Sequence, residues 1–197
     1  MRSAGKTGTR TGAARRNRNP PQAPAGNHRQ ARGNLRPLGR RGCQTTYIRT
    51  TPERLWQALT DPAFTRRYWG VAFETDWAAG SAMVWEEGGA RTADPAQVVL
   101  ESEPPRRLSY TWHTFTPEWA ANAGVDEELR ARLAADRRSQ VTFEIEPLGE
   151  TVRLTVVHEA HDPGSAVLGM VSQGWPALVS GLKTLLETGE PLPEPKV

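Results

Sequence analysis

Cysteine is almost missing from this 197-residue chain: Cys43 stands alone. A single thiol excludes an internal disulfide and a thiolate metal cluster, and it suits a reducing compartment. Long apolar runs are missing too. None approaches the roughly 18 to 20 residues that a membrane-spanning helix needs, so no bilayer span is expected. A secretory leader would set an apolar stretch behind a few basic residues, but residues 1–40 hold almost nothing apolar larger than alanine. Export by that route is not expected, and a cytoplasmic location is. Acidic residues are absent from residues 1–43, which carry eleven Arg or Lys. Residues 44–197 then hold 14 basic against 22 acidic residues, leaving about eight negative charges net. The formal charge of +3 therefore averages two segments of opposite sign.

Residues 1–43 are read as a disordered Arg-rich tail. Leu35 and Leu38 are its only sizeable apolar side chains, too few to offset the entropy of ordering. Three readings fit it: a non-specific polyanion-binding arm acting by counterion release, an inert extension, or upstream sequence from a misassigned start. No aromatic residue precedes Tyr47, so the stacking surfaces of a dedicated single-strand binder are missing. Cys43 lies outside the patterned region and is not expected to be a catalytic thiol.

From Gln44 the pattern changes, and one domain is expected over 44–190, with 191–197 as a short C-terminal tail. Thr45 to Thr50 reads as a strand with Ile48 inward. Thr51-Pro52 and Asp61-Pro62 each supply an N-cap followed by proline at the first helical position, which predicts two short helices. Leu55, Trp56 and Leu59 form an apolar stripe on the first. Period-two alternation then predicts strands over 71–75, 81–86, 97–102, 108–114, 140–146 and 151–158. Turn residues separate them, among them Gly88-Gly89 and Pro147-Leu148-Gly149-Glu150, so hairpins and an antiparallel sheet follow. The spacing of Leu168, Val171, Trp175, Leu178, Leu182 and Leu185 is that of a helix face. Pro176 within it predicts a kink or a fresh start near Gly174, and Gly189 with Pro191 marks the stop.

The order strand, two short helices, six antiparallel strands and a long helix resembles the START-like (SRPBCC) superfamily. The stretch Thr51-Pro52-Glu53-Arg54-Leu55-Trp56-Gln57-Ala58-Leu59-Thr60-Asp61-Pro62, followed by Tyr68-Trp69-Gly70, is similar to the opening of proteins related to the C-terminal domain of the Aha-type activator of the Hsp90 chaperone. Gly174-Trp175-Pro176 leading into Leu182-Lys183-Thr184-Leu185-Leu186-Glu187 resembles the closing helix of that group. The resemblance implies an α+β helix-grip fold, a curved antiparallel sheet of six to seven strands around the C-terminal helix with a hydrophobic cavity between them. It does not imply one activity, because the superfamily includes lipid and hormone binders, polyketide aromatases and cyclases, and chaperone activators.

Among polar residues, His158 draws attention, since the parity of Val152, Leu154 and Val156 carries it inward. It could contact a ligand or move a proton, or it is a core histidine bonded to backbone. His158, Glu159 and His161 give H-E-x-H rather than H-E-x-x-H, and a strand turns 158 and 161 to opposite faces, so no zinc site is expected. Leu108, Tyr110 and Trp112 share a parity that brings Tyr110 and Trp112 inward and leaves His113 pointing out. Tyr110 and His158 could pair to orient a ligand carbonyl, or both simply pack. Trp56 and Trp69 read as structural, while Trp85, Trp112 and Trp175 could line the cavity. Residues 116–138 hold a helical pattern, with Leu129 and Leu133 four apart and Asp126/Arg130 and Glu128/Arg132 as i,i+4 pairs. That segment is either a mobile lid or a solvated surface helix. No nucleophile triad, phosphate-cradling glycine motif or metal-ligand spacing is present.

The expected function is binding of a hydrophobic small molecule in an internal cavity, without a cofactor or metal. Tyr110 and His158 would orient the ligand, and Phe73, Trp85, Trp112, Phe143, Trp175, Leu178 and Leu182 would supply apolar contact. Two alternatives remain: a cyclase or dehydratase using His158 and Tyr110 as its catalytic pair, and a module that contacts a chaperone.

Overall fold

A computed structural model of the protein describes residues 41–162 and 164–193. The disordered-arm and polyanion expectations fall on residues outside that range, apart from Arg41, Gly42 and Cys43; of the C-terminal tail, only 191–193 are described. Strand β1 (Arg41–Ile48) pairs along its whole length with β7 (Thr151–Glu159), from Arg41 opposite Glu159 to Ile48 opposite Val152. The strand thus begins four residues earlier than the sequence reading placed it and ends at Ile48, and Cys43 sits inside it opposite Val157. Composition hid this start. Ladder bonds use backbone groups that Arg and Gly also supply, and the Arg41 guanidinium lies 2.6 Å from the Glu159 carboxylate.

Both cap signals are realised. Thr51 accepts a hydrogen bond from the backbone N–H of Arg54 at the start of α1 (Pro52–Thr60), and Asp61 accepts one from Ala63 at the start of α2 (Pro62–Tyr68). Helix α1 buries Leu55, Ala58 and Leu59, while Trp56 is only partly buried. There follow β2 (Val71–Glu74), β3 (Ala82–Glu87), β4 (Ala90–Glu103), β5 (Arg107–Thr111), α3 (Pro117–Ala123), α4 (Glu127–Ala135) and β6 (Gln140–Leu148). After β7 the chain ends its regular structure in α5 (Ala166–Thr188). The seven strands form one curled antiparallel sheet in the order β1-β7-β6-β5-β4-β3-β2, an α+β helix-grip arrangement.

The β3–β4 hairpin turns on Gly88 and Gly89, both at positive φ (55° and 87°), with Glu87 directly opposite Ala90. A two-residue turn with both centres left-handed matches strand twist, and it needs residues without a Cβ. Strand β4 starts right there, seven residues before its expected beginning at Gln97. Its first half was hidden by Asp94-Pro95, where the pairing with β3 jumps from Val84 opposite Ala93 to Ala82 opposite Val98. The fully buried Gln97 holds this bulge: its amide donates to the carbonyls of Met83 and Thr92, both at 3.0 Å, and its oxygen accepts the Thr114 N–H at 2.8 Å.

Helix α5 runs without interruption through Pro176, so the expected fresh start near Gly174 does not occur. A proline costs one helical hydrogen bond, and burial of Val171, Trp175, Val179, Leu182 and Leu185 offsets it, each large apolar side chain contributing roughly 1.5 to 3 kcal/mol. Leu178 is only partly buried. The helix closes at Gly189, left-handed at φ 86°, whose N–H returns to the Leu185 carbonyl. At its other end the Ser165 hydroxyl caps Leu168, and the Asp136 carboxylate accepts from the Ser165 hydroxyl and the Val167 N–H.

Residues 116–138 form two helices rather than one. Thr116 caps α3 and Gly124, at φ 66°, ends it; Asp126 caps α4 by accepting the Leu129 N–H. With Asp126 used as a cap, Arg130 pairs instead with Glu127 and donates to the Phe115 carbonyl, so the expected Asp126/Arg130 pair is not made. Trp119 and Leu133 are buried, which anchors both helices to the core.

Candidate functional site

Along β3, Met83 and Trp85 face the core, and the same parity carries Glu87 to that side, while Glu86 turns outward to Arg66. Strand β5 stops at Thr111, after which alternation no longer governs direction. Trp112 and His113 are consequently both buried, 6% exposed each. His113 therefore does not point out, contrary to its expected parity. Its ring lies among Trp85, Phe115 and Trp119, with centroids 4.9, 4.5 and 5.1 Å away. The backbone under these rings is fixed from behind. Arg138 donates to the Trp112 carbonyl (2.6 Å), to the Asp94 carboxylate (2.9 Å) and to the Thr114 hydroxyl (2.8 Å), which in turn donates to Asp94.

Between these residues and α5 lies a recess of about 210 Å³, open to solvent. Its wall consists of Trp69, Trp85, Glu87, Trp112, His113 and Trp119 on one side and Met170, Val171, Gly174, Trp175 and Leu178 on the other. Trp69, which follows α2, is the hub: its ring is 5.8 Å from Trp85, 6.0 Å from Trp112 and 5.9 Å from Trp175. The indole N–H groups of Trp85, Trp112 and Trp175 are buried without a nitrogen or oxygen acceptor. Their rings meet mostly edge to face, a geometry in which one ring's edge faces another's electron-rich face. Across the wall, the Glu87 carboxylate accepts the Trp119 indole N–H at 2.8 Å and so ties α3 to β3. Burial pushes the Glu87 carboxyl above its ordinary pKa.

Of the residues expected to line a cavity, Trp85, Trp112, Trp175 and Leu178 meet in this recess. Phe73, Tyr110, Phe143 and Leu182 pack behind it, Tyr110 lying 5.8 Å from both Phe73 and Phe143. Tyr110 and His158 stand in one row of the sheet, but Val141 on β6 lies between them, paired with each. The ring of His158 rests on Trp112 instead, with centroids 4.7 Å apart. Its Nε2 is 2.8 Å from the Ser139 hydroxyl, and its Nδ1 is buried without a partner. Desolvation, with a smaller contribution from His113, lowers the His158 pKa to about 3. Desolvation likewise lowers that of His113 to about 4, although its Nδ1 donates to the Thr114 carbonyl. Both imidazoles are neutral near pH 7. Trp69, Glu87, His113 and Trp119 are wall residues that the sequence reading did not assign. Only Glu87 had a usable signal, its place two residues beyond Trp85.

A second hollow, of about 300 Å³, lies behind Trp112 and His113 and includes Asp136, Arg138 and Ser139. A third, of about 670 Å³, is a polar groove on the far side of β6 and β7, where Arg107 pairs with Glu101 and Glu144, and Arg153 with Glu146. Among the described residues no three His, Cys, Asp or Glu side chains are grouped to hold a metal ion, and no helix is long and apolar enough to cross a membrane.

A curled seven-stranded sheet gripping a long C-terminal helix, with a recess opening between them, defines a helix-grip protein of the START-like class. The chain belongs to the family described as activator of Hsp90 ATPase homolog 1-like protein, whose profile matches residues 49–187. Among solved structures it is similar to protein MLL2253 from Mesorhizobium loti, at 27% identity and TM-score 0.58, over 75% of this chain and 96% of that one. It is similar to CalU16 from Micromonospora echinospora at 22% identity and TM-score 0.56, over 79% of each chain. The Aha1 dimer from Colwellia psychrerythraea shares 18% identity at TM-score 0.53, over 76% of this chain and 97% of that one. No curated protein matched the sequence.

Proposed function

We propose that this domain binds a small organic molecule in the recess beside α5. The observation that carries the reading is the wall itself, in which five indoles, those of Trp69, Trp85, Trp112, Trp119 and Trp175, converge on one solvent-open space. A mostly apolar concavity with few polar groups is the usual form of a small-molecule site. At about 210 Å³ it falls below the roughly 300 to 1,000 Å³ of sites for drug-sized ligands, so the guest is compact rather than a lipid. Phe73, Tyr110 and Phe143, expected to line the cavity, pack against one another behind the recess. Proton transfer by a His158–Tyr110 pair draws no support from this geometry, because Val141 separates them.

The test is a titration of ¹⁵N-labelled protein with two compact probes, neutral tert-butanol and tetramethylammonium chloride, following the indole N–H resonances. Saturable shifts at the five wall tryptophans, with Trp56 and Trp77 unmoved, are expected. If neither probe moves the wall resonances, the recess is not a binding site and the reading falls.

The family description favours a second reading, contact with the Hsp90 chaperone. Adding the full chain to that chaperone from the same host and measuring ATP turnover tests it; an unchanged rate removes it.

A further inference from the structure

Resting on the reading of the recess as a binding site, we infer that its guest is a small organic ammonium ion, held between indole faces and the Glu87 carboxylate. Glu87 is the only formally charged residue of the wall, and no Lys or Arg lines it. The other carboxylates of β2 and β3 are paired, Glu86 with Arg66 and Glu74 with Arg91. Glu87 is in none of the ion pairs made among the described residues, and its one hydrogen bond there comes from a neutral indole.

The rest of the wall favours the same sign of charge. Aromatic rings carry negative faces, and a cation over tryptophan is the strongest pairing of this type. His113 adds no competing positive charge, because desolvation lowers its pKa to about 4 and keeps the ring neutral near pH 7, while its Nδ1 donates to the Thr114 carbonyl. Since Nδ1 is the donor, Nε2 carries a lone pair, which also suits a cation or an N–H donor. A carboxylate desolvated by indoles is held above its ordinary pKa, and a cation beside it would relieve that cost. A neutral guest would leave the carboxylate unpaired, and an anion would meet it with no positive group on the wall.

The two probes, matched in size, separate this inference from the reading beneath it. Tetramethylammonium is expected to bind at least about tenfold tighter than tert-butanol at pH 7.5 and low salt. In Glu87→Gln, which keeps the shape and the acceptor for Trp119, the two affinities should become comparable. The preference should also shrink as pH falls and Glu87 takes a proton. Equal affinities in the wild type, or a cation preference that survives Glu87→Gln, would overturn the inference and leave the recess a site for neutral molecules. Silence from both probes would instead remove the site itself.

Discussion

His158 and Ser139 meet at 2.8 Å, ring Nε2 to hydroxyl, while the second nitrogen of the same ring is buried with no partner. The imidazole is thus enclosed in its neutral form, beneath Trp112 and beside a second neutral ring, His113, which has the Arg138 guanidinium nearby. Protonating either ring inside the fold puts an unsolvated charge next to aromatic surface.

The first prediction is acid lability that begins above the carboxylate range. The unfolded chain binds protons at both histidines near pH 6.5, whereas the folded rings resist to about 4 for His113 and about 3 for His158. Between those limits the unfolded state holds more protons, so stability is present above pH 6.5 and is lost as pH falls. By pH 5 the loss should be about 2 kcal/mol for each ring, at about 1.4 kcal/mol per pH unit. Urea unfolding at pH 7.5, 6 and 5 measures it; a flat profile over that range would show that the rings protonate without opening the fold.

Gln97 should be as costly to replace as a large core residue. Gln97→Leu keeps the volume but leaves the Met83 and Thr92 carbonyls and the Thr114 N–H without the bonds they make now. Each buried group left unpaired costs about 1 to 3 kcal/mol, so a loss of about 3 kcal/mol or more is expected in denaturant unfolding. A change below about 1 kcal/mol would mean that the bulge rearranges to find other partners.

The two inserted helices should respond differently to a guest. Trp119 of α3 belongs to the recess wall, whereas no residue of α4 does. In hydrogen exchange, tetramethylammonium should slow amides of α3 and the middle of α5 and leave α4 unchanged. Unchanged α3 amides at saturating probe would remove any covering role for this segment.

Pro176→Ala should stabilise the protein by about 1 kcal/mol or more, since it restores a helix-interior donor at an exposed position. Thermal unfolding reads the effect. A lower melting temperature would show that the proline's limits on the unfolded chain outweigh the restored bond.

Much of the scaffold was legible because its signals are local. The Thr51-Pro52 and Asp61-Pro62 caps act within three residues of themselves, and the alternation of Val152, Leu154, Val156 and His158 survives intact as an inward face. Signals failed where a distant contact overrode the local rule. The direction of His113 follows from the chain leaving the sheet after Thr111, and the first half of β4 is tolerated around Pro95 because Gln97 takes over the missing bonds. The site was half legible for the same reason. Trp85 and Trp175 lie on periodic elements and Trp112 stands one residue past the end of β5, whereas Trp69 and Trp119 reach the wall from a helix end and an insertion, where period says nothing about direction.

Arg138 gathers the Trp112 carbonyl, Thr114 and Asp94 into one hold. The backbone under Trp112, a wall residue of the recess, is therefore held partly by an aspartate that does not line it. Drift at position 94 would shift the backbone under Trp112 while every wall residue stayed the same, so two descendants with identical linings need not have recesses of the same shape.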